Sequence, residues 1–373
     1  MFIETLEKLR CPKPRCEGRL AVRSGEGAPD LRSGSIECVK CRRLYPILEG
    51  VAVLVADPRE YLLAHVKGVS ACVPDDQIPK AWRAEFEEAR EELVAEHIEE
   101  DLEAERVTSL YVMNHYLHAS APEQGGIEWW KGRSGSFSPE IDDLVRRFWD
   151  RGPFSRIEDW LGSLSAPSGG WNIVELGCGV GGLLPRLASL SRSYLGVDSS
   201  FASVALARHL ALGCAYRGKL RFPEDLLAGP VSREIAMEIP KSPPAHADFI
   251  VGDIDGAGLA SGAWNLSIAL NAIDMLEEPE VLPRLQARLI VEGGRVIQSG
   301  PYIWHEAVAR GLRSRLPRGI GESARAVEWL YEKAGLKVSR REEQVPWLFF
   351  KHLRQIELYA VHLLLAVKGA AGR

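Results

Sequence analysis

The stretch "WNIVELGCGVGG", residues 171–182, restricts the fold more than any other in the chain. An apolar run through Trp171, Ile173, Val174 and Leu176 leads into four glycines within six residues, and "LLPRLASL" follows. That pattern reads as strand, glycine turn, helix. Its glycines let the backbone come close to a ligand at the helix N-terminus. The spacing fits two ligand classes. Gly177, Gly179 and Gly182 make G-x-G-x-x-G, the dinucleotide form, whereas Glu175, Gly177, Gly179 and Gly181 make E-x-G-x-G-x-G.

The downstream strands separate the two. "SYLGVDSS" is a second apolar strand ending in Asp198, a carboxylate placed to accept ribose hydroxyls of either NAD or S-adenosylmethionine. Glu175, two residues before Gly177, suits a cationic ligand without phosphate and would repel a pyrophosphate. "ADFIVGDID" is a third strand running into acids, with Asp253 and the adjoining Ile254 at the adenine position. "WNLSIALNAIDMLEEP" is a fourth, running into Asn271 and Asp274. "ARLIVEGGRVIQSGPYIW", "GLKVSRREE" and "IELYAVHLLLAVKG" supply the last three.

In this order the segments resemble class I S-adenosylmethionine-dependent methyltransferases over residues 166–373. The resemblance implies a Rossmann-like α/β fold with a seven-stranded sheet, its last two strands forming an antiparallel hairpin at the edge. It also implies S-adenosylmethionine as cofactor. Gly177, Gly179 and Gly181 would form the cofactor loop, Glu175 its acid, Asp198 the ribose contact, and Asp253 and Ile254 the adenine contacts.

Cys11, Cys16, Cys38 and Cys41 are spaced C-x4-C and C-x2-C, the pattern of a four-thiolate zinc site. With four protein ligands the metal has no open position, so its role is structural. Residues 1–56 are too few to hold a large core, and a metal would supply much of their folding energy. "LEKLRCPKPRCEGRL" and "IECVKCRRLYPILEGVAVLV" resemble the small zinc-ribbon activators that partner tRNA and release-factor methyltransferases. The first knuckle is wider than in that family. The likeness implies a stabilising or docking role.

Residues 57–165 read as a helical linker or lid. "IPKAWRAEFEEAREELVAEHIEEDLEAERV" is amphipathic and acidic, and Tyr111, His115 and His118 share one helical face, as packing residues or as a lid that presents His115 or Tyr111 to a substrate. Ser138 is an expected N-cap ahead of Pro139. The net charge of −5 gives no global attraction to nucleic acid. The start of the chain has no signal-peptide-like apolar core and no apolar span reaches membrane length, so a cytoplasmic, membrane-free protein is expected.

The acceptor is less sharply marked. The fourth strand ends in "NAID", without the Asn/Asp-Pro-Pro-aromatic signature of base-amino methyltransferases, and the region has no nucleophilic cysteine. "LNAIDMLEEPEVLPRLQARLIVEGGRVIQSGPYIW" resembles the methyltransferase domain of ovothiol-forming enzymes and, more loosely, carnosine N-methyltransferases. That likeness implies N-methylation of a small histidine-like, peptide or natural-product acceptor. Asn271 and Asp274 would orient it, Tyr302 and Trp304 would wall its ring, and His305 would lie nearby. Asp274, His115 and His305 are the candidate bases. An RNA or protein methyltransferase with its zinc-ribbon activator fused in cis is the less favoured alternative, and a non-catalytic scaffold a third.

Overall fold

The computed structural model describes residues 1–96, 108, 110–112, 114–116, 138–149, 152–214, 216–221, 232–237, 246–256, 258–352 and 355–369. The expected His118 lies outside these residues, as do "EQGGIEWWKGRSGS" at 123–136, which reads as a loop, and most of "GKLRFPEDLLAGPVSREIAMEIPKSPPAH" at 218–246, which reads as a surface insertion.

The N-terminal unit contributes β1 (Leu20–Glu26), β2 (Ser33–Cys38), β3 (Leu44–Leu48) and β4 (Val51–Val53). Next come β5 (Trp171–Leu176), β6 (Ser191–Asp198), the separate hairpin β7 (Tyr216–Arg221) and β8 (Ser232–Met237), and β9 (His246–Val251). The chain closes with β10 (Trp264–Leu270), β11 (Ile290–Gly300), β12 (Leu336–His352) and β13 (Gln355–Lys368).

The expected seven-stranded sheet is in fact eleven-stranded, in the order β1-β2-β3-β4-β9-β6-β5-β10-β11-β13-β12. The four added strands are those of the cysteine-bearing unit. β4 runs parallel to β9, pairing Ala52 with Ile250 and Val53 with Val251, and the Leu54 amide extends the ladder to the Val251 carbonyl at 2.8 Å. Without β4, β9 would be an open edge with unpaired backbone groups. The apolar tail "VAVLV" that looked like the end of a small domain is therefore a strand of the shared sheet. Its first three residues have no exposure.

From β9 to β11 the sheet is parallel, and β13 is antiparallel to both β11 and β12. The expected edge hairpin is present. Both faces of these strands are covered, which explains their nearly unbroken apolar runs. Val174, Leu195, Ile250 and Val296 face one core with the helices Val281–Leu289 and Ser323–Lys333. Ile173, Tyr194, Phe249 and Ile297 face the other with the helices Pro153–Gly162 and Phe201–Ala211.

The chain passes from β5 outward to β6 and β9, then returns to β10 on the other side of β5. The carboxyl ends of β5 and β10 thus meet at a topological switch point, where ligands bind in open α/β sheets. Ser138 caps the helix Pro139–Phe148 by accepting from the Ile141 amide at 3.5 Å. Among the described residues no helix is long and apolar enough to cross a membrane.

Candidate active site and metal centre

A cavity of about 1280 Å³ opens at the switch point. The glycine turn forms its floor. The Gly177 and Cys178 amides donate to the Val197 carbonyl at 2.8 and 3.1 Å, folding the turn against β6. Gly179 (φ +51°) has no atom within 4 Å of where a Cβ would stand, so its face is open for a ligand. Gly181 is placed differently. A Cβ there would lie 3.0 Å from Ala207 and 3.1 Å from Phe249, so this glycine serves close packing and is not among the lining residues.

Asp198 lines the cavity with both oxygens engaged: Oδ2 accepts from the Gly179 amide and Oδ1 from the Ser200 amide, each at 2.9 Å. A carboxylate oxygen has a second lone pair, so each can still accept a ribose hydroxyl. Glu175 also lines the cavity, is buried, and accepts from the Tyr194 hydroxyl. Burial raises its carboxyl well above the ordinary range, and the charge of Asp198 adds to the shift. Asp253 and Ile254 line the cavity on the β9 side. Desolvation raises the Asp253 carboxyl, with Asp255 adding and His65 opposing.

On the β10 side, Asn271 sits at φ +52°, a conformation that asparagine tolerates better than most residues. Its amide donates to the Ser299 carbonyl at 2.9 Å, and its Oδ1 accepts from the Ser299 hydroxyl at 3.2 Å. Asp274 accepts from the Ile303 amide at 2.8 Å, which ties the loop after β11 to the loop after β10. Both residues line the cavity, as do Pro301 and Ile303.

Tyr302 and His305 do not. The Tyr302 hydroxyl lies 2.6 Å from His362 Nδ1, and its ring stacks on Trp304 at 5.6 Å. Trp304 in turn donates to the Ser323 hydroxyl at 3.0 Å. His305 is an exposed residue at the start of the helix Glu306–Arg315. Tyr302 sits at φ +60°, a left-handed backbone turn, while its neighbours Pro301 and Ile303 take the cavity side.

The helical residues 110–112 and 114–116 roof the turn. Tyr116 donates to the Val180 carbonyl at 2.7 Å. Asn114 brackets Phe350 of β12, donating to its carbonyl at 3.0 Å and accepting from its amide at 2.8 Å. His115 lines the cavity so close to Gly182 that a Cβ there would lie 2.6 Å from the His115 Cβ. Its ring lies between Tyr111 at 5.7 Å and Phe154 at 5.3 Å.

Two groups escaped sequence reasoning. Trp347, Phe349 and Lys351 occupy every second position of β12, with Tyr359 opposite Trp347 on β13, and all four line the cavity. The alternation in "PWLFFK" was the available signal. Tyr61, on the helix Pro58–Ala64, donates to the Ser199 carbonyl at 2.6 Å and accepts from the Phe201 amide at 3.0 Å. It thereby pins the loop that follows Asp198.

In the N-terminal unit, the sulfurs of Cys11, Cys16, Cys38 and Cys41 all lie within 4.8 Å of one another. The Cys11–Cys41 and Cys16–Cys38 separations are both 3.6 Å. Tetrahedral zinc with bonds of about 2.3 Å needs sulfurs roughly 3.8 Å apart, so the set fits the metal. The Tyr45 hydroxyl lies 2.9 Å from the Cys11 sulfur, an outer-shell contact. A Cβ on Gly18 would stand 2.5 Å from the Cys38 sulfur, so the first knuckle admits only glycine there.

No family model matches the sequence, and no curated protein does. Among solved structures, the chain is similar to the complex between the Haloferax volcanii Trm112 methyltransferase activator and a protein described as a methyltransferase. That match has 16% identity and a TM-score of 0.38, covering 65% of this chain and 97% of that one. It is similar to magnesium protoporphyrin IX methyltransferase from Synechocystis PCC 6803 with bound SAH, at 19% identity and a TM-score of 0.37, covering 67% and 96%. It is also similar to the [4+2]-cyclase SpnF, at 14% identity and a TM-score of 0.37, covering 58% and 81%. Likenesses this distant say nothing of the ligand or reaction of this chain.

Proposed function

We propose that the chain is an S-adenosylmethionine-dependent methyltransferase that N-methylates a small, phosphate-free acceptor, with histidine-like molecules the first candidates. One observation carries the reading: among the described residues, seven Asp and Glu side chains line the cavity and a single lysine, Lys351, opposes them. A sulfonium is favoured in that field, and a pyrophosphate or polynucleotide is repelled. When bound, S-adenosylmethionine supplies an activated methyl group, so the protein's part is positioning. Glu175 and Asp198 hold the donor beside the open face of Gly179. Asp253 and Ile254 receive its adenine. Asn271 and Asp274, fixed by Ser299 and Ile303, orient the acceptor across the switch point.

Calorimetry with S-adenosylmethionine and with NAD tests the donor; saturable NAD binding with none for S-adenosylmethionine would overturn the reading. Labelled methyl transfer to histidine-like molecules, a peptide pool and bulk RNA tests the acceptor. The zinc-ribbon unit ahead of the catalytic strands supports a second reading, a protein or RNA acceptor. Methylation of bulk RNA with steep salt dependence would select it.

A further inference from the structure

We propose that the accepting atom is a basic nitrogen that leaves the site as a cation, recognised jointly by the π faces of Trp347, Phe349 and Tyr359 and by the carboxylates of Asp274, Glu277 and Glu278. This rests on the methyltransferase reading and narrows it to a substrate class. In the transfer the nitrogen reacts in its unprotonated form, its proton having left to solvent on binding, and its lone pair forms the new N–C bond as the C–S bond breaks. The bonding pair returns to sulfur, the sulfonium becomes a neutral thioether, and the positive charge passes to nitrogen. Transfer to nitrogen therefore keeps one positive charge in the cavity, whereas transfer to an oxyanion or thiolate removes it.

The cavity is built for the first case on both sides of the switch point. Glu175 and Asp198 stand at the ends of β5 and β6, on the donor's side, and Asp274, Glu277 and Glu278 follow β10, on the acceptor's side. An anionic acceptor would meet the second group at its own binding position.

The aromatic wall is an independent observation. Leu348 and Phe350 of β12 are buried in the core, while the alternate residues Trp347 and Phe349 are half-buried and line the cavity. Such faces attract cations, most strongly where water is partly excluded. Phe349 already carries one: Lys351 Nζ lies 5.4 Å from its ring centroid and 3.5 Å from Glu357, which offsets the lysine charge.

The test is calorimetry on the full chain saturated with S-adenosylhomocysteine, using choline, its neutral isostere 3,3-dimethylbutan-1-ol, and the anion 3,3-dimethylbutyrate. Choline is expected to bind about tenfold more tightly than the alcohol, and the carboxylate most weakly. Trp347→Leu and Glu278→Gln should each remove most of that preference while S-adenosylhomocysteine affinity stays unchanged. Phe349→Leu serves as a second wall variant, with S-adenosylhomocysteine binding reporting that each variant is folded. Equal affinity for choline and the alcohol, or preference for the carboxylate, overturns this proposal alone. Failure of the unaltered chain to bind S-adenosylhomocysteine overturns the methyltransferase reading and this proposal with it.

Discussion

Asp198 accepts the Gly179 amide at 2.9 Å, so the acid at the end of β6 and the turn after β5 form one unit. Asp198→Ala should therefore cost more than a ribose contact, because it also releases the Gly179 and Ser200 amides. Hydrogen bonds to a charged group contribute about 1.5–3 kcal/mol, so S-adenosylmethionine affinity should fall roughly ten- to a hundredfold. Asp198→Asn keeps one accepting oxygen and should fall in between. Calorimetry on both variants decides; equal losses would separate the carboxylate from the turn.

On the proposed reading, S-adenosylmethionine binding should depend on pH through Glu175. In the unliganded site burial, with Asp198 adding, raises its carboxyl well above the usual range, whereas a bound cation favours the ionised form. Affinity should then rise with pH between the carboxyl's pKa in the complex and its higher pKa in the free protein, and be flat above both. A proton should be released on binding within that window. The stability effect has the opposite sense: with the folded pKa raised, this group's contribution is complete below the unfolded pKa and is lost as pH rises through the folded one. Calorimetry in buffers of different ionisation enthalpy checks the release, and Glu175→Gln should abolish it.

The residues that reached the cavity as read from sequence are those whose signal is local. Glu175, Gly179 and Asp198 follow from a strand, a turn and a strand end; Asn271 and Asp274 follow from the end of a fourth strand. Tyr302 does not line the cavity because its backbone turns at φ +60°, a conformation that nothing in "GPYIW" announces for a tyrosine. The β4–β9 ladder joins segments about two hundred residues apart, and no local propensity encodes such a pairing. Tyr61 was missed for the same reason: its partners, Ser199 and Phe201, are remote in sequence.

Zinc removal should reach the cofactor site. The cysteine unit holds β4 against β9, two residues before Asp253, and leads into the helix whose Tyr61 pins the loop after Asp198. Metal content should be about one per chain and be lost in Cys38→Ser. Chelation should lower the melting temperature by roughly 5 °C or more and weaken S-adenosylmethionine binding together with it. Thermal unfolding and calorimetry with and without chelator are the measurements; an unchanged melting temperature would sink the idea that the metal supports the shared sheet.

The same junction contains a buried ion pair. Arg208 Nη1 lies 2.9 Å from Asp248 Oδ1, with both residues almost wholly inaccessible, and Arg208 also reaches Asp30 of the cysteine-bearing unit. Removing the guanidinium leaves buried Asp248 with only the amino terminus as counter-charge, so Arg208→Ala should destabilise by about 3 kcal/mol. Burial already raises the Asp248 carboxyl against the pull of Arg208 and the chain's amino terminus, and without Arg208 it should rise further. Its ionisation then opposes folding, so the variant's deficit should grow with increasing pH and shrink as pH falls. Adding Asp248→Asn removes the stranded charge while keeping an oxygen for the Phe2 amide and the Thr5 hydroxyl that donate to it. Denaturant unfolding of the single and double variants from about pH 4, where the unfolded carboxyl ionises, upward is the check. The double variant should be the more stable, and its stability should depend less on pH than that of Arg208→Ala.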